Sequence, residues 1–131
     1  MKEQADIARG WLRKARSDEV AFAASLNAGA FDAACFHAQQ AVEKYLKAFL
    51  LHHRKEFPFT HNLAKLVEIC AATEPSFRTL IDVVAPLTPY AVELRYDADF
   101  WPGLDVAQEA GLAVSRVRHF VISLLPEDLT G

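Results

Sequence analysis

Four side chains able to grip a phosphate or a base edge recur at three- and four-residue steps: His37, Gln40, Lys44 and Lys47. Residues so spaced share one face of a helix. A histidine, an amide and two lysines on one face suit the phosphates and base edge of a nucleotide, with Gln39 and Glu43 beside them. The same spacing also describes an ordinary solvated helix face, and His37, between Phe36 and Ala38, also fits a half-buried histidine. A second group is Arg95-Tyr96, followed by Phe100-Trp101. Arginine offers a rigid fork of donors matched to phosphate or carboxylate, and aromatic faces stack on bases. The competing reading pairs Arg95 with Glu93, Asp97, Asp99 or Glu43 and makes the aromatics core anchors. His61 follows Thr60 at a helix start, where backbone amides attract anions, or where a histidine only orients the joint.

Other chemistries find less support. His52 and His53 are adjacent, so their side chains diverge on a helix; Glu93 and Asp97 are four apart but match no metal spacing. There is no phosphate-cradling glycine loop and no nucleophile elbow. Cys35 and Cys70 each sit in an apolar helical stretch, which predicts two reduced core thiols rather than a disulfide or a zinc site. No metal and no cofactor is expected.

The elements that must position these residues are helices. Ile7, Trp11, Ala15, Phe22 and Leu26 recur near the helical period, predicting a first helix over about 3–27 that stops at Asn27-Ala28-Gly29. A second is predicted over about 31–54, with an apolar face through Ala34, Ala38, Ala41 or Val42, Tyr45, Phe49 and Leu50. Phe57-Pro58-Phe59 breaks the pattern, and Thr60 or Asn62 caps a third helix over about 62–72. A segment over about 76–85 ends at Pro86. Thr88-Pro89 then starts a short piece to about residue 97. Asp105 is expected to cap a last helix over about 105–124, closed by Pro126. No stretch alternates with the period of a strand. The fold class is all-α: one domain over residues 1–131, an antiparallel up-and-down bundle of four to five helices.

The totals agree with one globular domain. Apolar residues make up 52% of the 131, enough for a core without staples, and charged residues 24%. The formal net charge of -3 argues against a dedicated duplex-DNA binder. The N-terminal stretch is too charged for a signal peptide, and nothing approaches the roughly 18 unbroken apolar residues of a membrane span. A cytoplasmic protein with no membrane contact is expected.

The run Phe36-His37-Ala38-Gln39-Gln40-Ala41-Val42-Glu43-Lys44-Tyr45-Leu46-Lys47-Ala48 has a family look. So do the joint Thr60-His61-Asn62-Leu63, the segments Tyr90-Ala91-Val92 and Arg95-Tyr96, and the alanines of 107–113. In this order, from about residue 5 to 125, the chain resembles HEPN domains, helical bundles associated with nucleotides. The resemblance implies a homodimer and a separately encoded minimal nucleotidyltransferase as partner in a toxin–antitoxin-type pair. It also implies nucleotide or RNA as ligand. Some members are metal-independent ribonucleases, using an arginine followed four to six residues later by a histidine. Arg95 best matches that arginine, but positions 99–101 are Asp99, Phe100 and Trp101. The resemblance therefore does not carry over RNA cleavage by that arrangement. In some related pairs the partner adenylylates a tyrosine just after the histidine; Tyr96 lies near that place at a different spacing.

Three functions from different classes follow. The first is a binding module for a nucleotide or a nucleic-acid end, using His37, Gln40, Lys44, Lys47, His61, Arg95 and Tyr96. The second is a ribonuclease in which Arg95 works with His61 or His37. The third is a purely structural interaction domain that docks through Phe100-Trp101 or the second helix. The sequence favours the first.

Overall fold

A computed structural model describes residues 3–130 of the chain. Two long helices, α1 (Gln4–Asn27) and α2 (Phe31–His52), form a hairpin. Its joint is set by backbone chemistry. Gly29 adopts φ 78°, its N–H meets the Leu26 carbonyl at 3.2 Å, and the Ala30 N–H meets that of Ser25 at 2.9 Å. This paired closure satisfies carbonyls that the end of α1 would otherwise leave bare. The end of α2 repeats it with a side chain in place: Arg54 takes φ 55°, and the Arg54 and Lys55 N–H groups meet Leu51 and Leu50.

Helix α2 is the centre of the molecule. Ala34, Ala38, Ala41, Val42, Leu46, Ala48 and Leu50 are fully buried, and so are Tyr45 and Gln39. A helix buried on most of its circumference is covered from several sides. Helix α1 packs along one side, α5 (Leu104–Ser123) along another, and α3 (Leu63–Ala71) over its C-terminal half. The small residues of α2 permit this close approach. Gly111 does the same on α5, where an added Cβ would lie 2.6 Å from the Phe22 ring of α1. One continuous core runs from Leu12 through Tyr45, Phe49, Leu66 and Phe77 to Val117 and Val121. Phe77 joins Phe49 and Phe120 in edge and tilted ring contacts at 4.6 and 4.8 Å.

The expected helices over 3–27, 31–54, 62–72 and 105–124 lie within a few residues of the observed ones, and the fold is an all-helical bundle. The stretch from 75 to 97 differs. It is a 3-10 turn (Pro75–Leu80), a single turn α4 (Ile81–Val84), a second 3-10 turn (Ala85–Tyr90) and then plain turns to Tyr96. The cause is Pro86 and Pro89, which remove two donors within four residues and leave only tighter i to i+3 bonding. Thr88 does not cap a helix of its own; its hydroxyl accepts the Leu63 N–H at 3.0 Å, at the start of α3. Asn62 caps α3 as expected, accepting from the Lys65 N–H at 3.0 Å. Asp105 does not cap α5: the helix begins one residue earlier, with Gly103 at the cap, and Asp105 lies in the first turn. Past Pro126 a short helix α6 (Glu127–Thr130), not foreseen, folds back on α1, where Arg16 reaches the Thr130 carbonyl at 2.8 Å. Among the described residues no helix is long and apolar enough to cross a membrane.

Candidate functional site

The seven candidate residues separate into three neighbourhoods, with His37 shared by two of them. His61 and Lys47 belong to a buried polar cluster. Glu43, almost fully buried, accepts from Lys47 Nζ at 3.0 Å, His61 Nδ1 at 2.7 Å and Gln39 Nε2 at 3.1 Å. Gln39 also donates to the His61 carbonyl at 3.2 Å and accepts from Gln40 Nε2 at 2.7 Å. Burial would raise the Glu43 carboxyl, but the hydrogen bonds from His61, Lys47 and Gln39, with the Lys47 charge, outweigh it and hold it below its ordinary value. The Lys47 ammonium also lies 5.7–5.8 Å from the rings of Trp11, Phe57 and Phe59, within reach of their faces. Lys47, His61 and Gln40 are thus tied into a fastening of the 53–62 connection onto α2.

His37 and Lys44 leave α2 towards α1 and meet there on one acid. Asp18 accepts from His37 Nδ1 at 3.1 Å on Oδ1 and from Lys44 Nζ on Oδ2. Lys44 goes on to line a shallow groove with Trp11 and Lys14. Glu19, the next residue, accepts from the Tyr45 hydroxyl and from Arg118 of α5, pinning α1, α2 and α5 together. Burial, and then the bond to Glu19, pushes the Tyr45 phenol up.

Arg95, Tyr96 and His37 line a different groove, of about 460 Å³, between the start of α2 and the turns after Tyr90. Asp32, Phe36, Asp97, Phe100 and Trp101 complete most of its wall. The Arg95 guanidinium stacks on Phe36 at 3.7 Å from the ring centroid and makes no ion pair with any acid among the described residues. Asp97 instead accepts the Asp99 N–H at 2.9 Å, which shapes the loop. Tyr90 and Phe100 stack at 5.6 Å. Tyr96 and Trp101 stand out from the rim, 78% and 75% exposed. An unpaired planar cation, two exposed aromatic faces and an imidazole edge can hold a phosphate, a base and a sugar.

Sequence reading missed Asp18 and Glu19 as partners. A signal was present: Asp18 falls three after Ala15 and four before Phe22, on the apolar stripe of α1, where an acid needs a partner. Both cysteines are buried and unpaired, and burial pushes their thiols up, Cys35 to about 11 and Cys70 to about 12. Among the described residues no group of three or more His, Cys, Asp or Glu is placed to hold a metal ion.

Fold and groove together define an all-helical bundle with an arginine-bearing aromatic cleft. The family model for the HEPN domain matches residues 8–125, nearly the whole chain, and the protein belongs to the HEPN family. No curated protein and no solved structure has a significant match to it. A HEPN domain is a nucleotide- or RNA-related helical module.

Proposed function

We infer that the cleft beside Phe36 and Arg95 binds a nucleotide, or the end of a single-stranded nucleic acid. The observation that carries this is the Arg95 guanidinium, over the Phe36 ring and without an acidic partner among the described residues, in a cleft whose wall also carries the exposed Tyr96 and Trp101. A stacked guanidinium keeps its in-plane donors free for phosphate oxygens. Tyr96 and Trp101 offer faces to a base, and stacking of this kind is worth about 1–3 kcal/mol per base. Asp32 and Asp97 in the same cleft repel a long run of phosphates, as does the net charge of -3. They leave room for one phosphate at Arg95, and they accept from base amino groups. The size of the cleft suits one nucleotide.

Family membership supports the wider setting: a homodimer that serves a separately encoded minimal nucleotidyltransferase as half of a toxin–antitoxin-type pair. Co-expression with the product of a neighbouring nucleotidyltransferase gene tests it; the pair is expected to elute together, and separate elution contradicts it.

Trp101 reports on the cleft directly. In a Trp11→Phe background, titration with the four ribonucleoside monophosphates and a short mixed RNA is expected to quench its fluorescence. Arg95→Ala should weaken binding by roughly tenfold or more, the cost of a charged hydrogen-bonding partner. An unchanged signal with every ligand sinks the reading. The exposed Tyr96, Trp101 and Val92 then favour a protein-docking surface.

A further inference from the structure

The contact between Asp18 and His37 fixes more than a side-chain position. A carboxylate only accepts hydrogen bonds, so the His37 Nδ1 that meets Asp18 at 3.1 Å must carry a proton. In the neutral ring this leaves Nε2 as a bare acceptor. Nε2 has no partner among the described residues, and His37 forms part of the wall of the Arg95 cleft. Asp18 is itself held, since Lys44 occupies its second oxygen, and it is nearly buried. The imidazole is therefore oriented from behind, as a carboxylate orients a metal-bound or catalytic histidine. His37 also adjoins Phe36 in sequence and in space, its ring 5.2 Å from that of Phe36, which carries Arg95.

We propose that His37 Nε2 reads a ribose hydroxyl, making the cleft selective for ribonucleotides, with Asp18 as the positioning residue that fixes the tautomer. This rests on the nucleotide reading of the cleft. The sugar is the part of a nucleotide that lies between phosphate and base. With the phosphate at Arg95 and the base on Tyr96 or Trp101, an acceptor on the wall next to Phe36 falls beside the sugar. The 2′-hydroxyl is the donor that separates RNA from DNA. An acceptor there gains a hydrogen bond from ribose and none from deoxyribose. Lys44 and Gln40 do not replace it, because neither lines the cleft, and an ammonium has no acceptor to offer.

The test compares two 5′-phosphorylated hexanucleotides of one mixed sequence, one RNA and one with every 2′-hydroxyl replaced by fluorine. Fluorine keeps the sugar pucker of RNA and removes the donor. Wild-type protein is expected to bind the RNA roughly three- to tenfold more tightly, the span of one neutral hydrogen bond. His37→Phe keeps a ring against Phe36 and is expected to bind both probes alike. Asp18→Asn, whose amide can turn its N–H towards Nδ1 and reverse the tautomer, is expected to narrow the ratio. A purely structural role for Asp18 would weaken both probes equally and leave the ratio unchanged, which overturns its part. Equal binding of both probes by the wild type, lost in Arg95→Ala, overturns the inference and leaves the nucleotide reading standing. A preference that survives His37→Phe also overturns it. Binding of neither probe removes the nucleotide reading and the inference with it.

Discussion

At the scale of single residues, the strongest constraint is the carboxylate of Glu43. It balances a lysine that is only 5% exposed and ringed by aromatics. Removing one partner of a buried pair leaves the other charge uncompensated, at about 3–5 kcal/mol. Glu43→Ala is expected to lose that much in urea unfolding, and a loss below about 1 kcal/mol would show that Lys47 escapes to water. The pH dependence follows from the same contacts. The Glu43 carboxyl titrates below its ordinary 4.5 in the folded protein, so folding favours its charged form. That contribution is complete above the ordinary value and is lost as pH falls through the lower, folded-state value. Stability should therefore fall more steeply as pH drops below the ordinary value of 4.5 in the wild type than in Glu43→Gln; equal slopes would contradict the assignment. Little of this was visible in the sequence. Gln39, Glu43, Lys44 and Lys47 look like one solvated strip, but the 53–62 connection folds over part of it and α1 over another. Which polar residues lie under a connection is decided by tertiary packing, which periodicity does not encode.

At the scale of elements, closure of the α1–α2 hairpin depends on a left-handed residue. Alanine at Gly29 must take φ near 78°, at a cost of about 1–2 kcal/mol. Gly29→Ala should lower the unfolding midpoint accordingly, while Arg54→Gly, at the matching place after α2, should not. A neutral Gly29→Ala would show that the joint can close another way. The long helices were legible because each keeps an apolar stripe for five turns or more and ends on residues that stop helices. Residues 75–97 were not legible to the same degree. Leu80, Ile81, Val84 and Leu87 keep a helical spacing, yet the prolines withhold the donors that a regular helix needs. The irregular backbone that results is what turns Arg95 and Tyr96 towards the start of α2. The cleft thus arises where helix formation fails, and the helical pattern alone did not show Phe36 beneath Arg95.

At the scale of the whole molecule, one core fixes three long helices, and polar contacts fix their relative setting. Glu19 links Tyr45 of α2 to Arg118 of α5, and Asp18 links His37 and Lys44. The cleft opens at the end of the bundle where α2 begins, away from the Glu43 cluster. Its aromatics and arginine were legible as residue types, and the HEPN resemblance gave the class of fold. The measurement that tests the central claim most directly is thermal unfolding of wild type and Arg95→Ala with a panel of nucleotides and short RNAs. A ligand that binds only the folded state, held at about 100 times its dissociation constant, adds about 2.7 kcal/mol. For a domain of this size that is a rise of roughly 10 °C in the midpoint. A rise with at least one ligand in the wild type, absent in Arg95→Ala, is the result expected. A folded wild type whose midpoint moves with none of them, or a rise that Arg95→Ala retains in full, would contradict a nucleotide site built on Arg95.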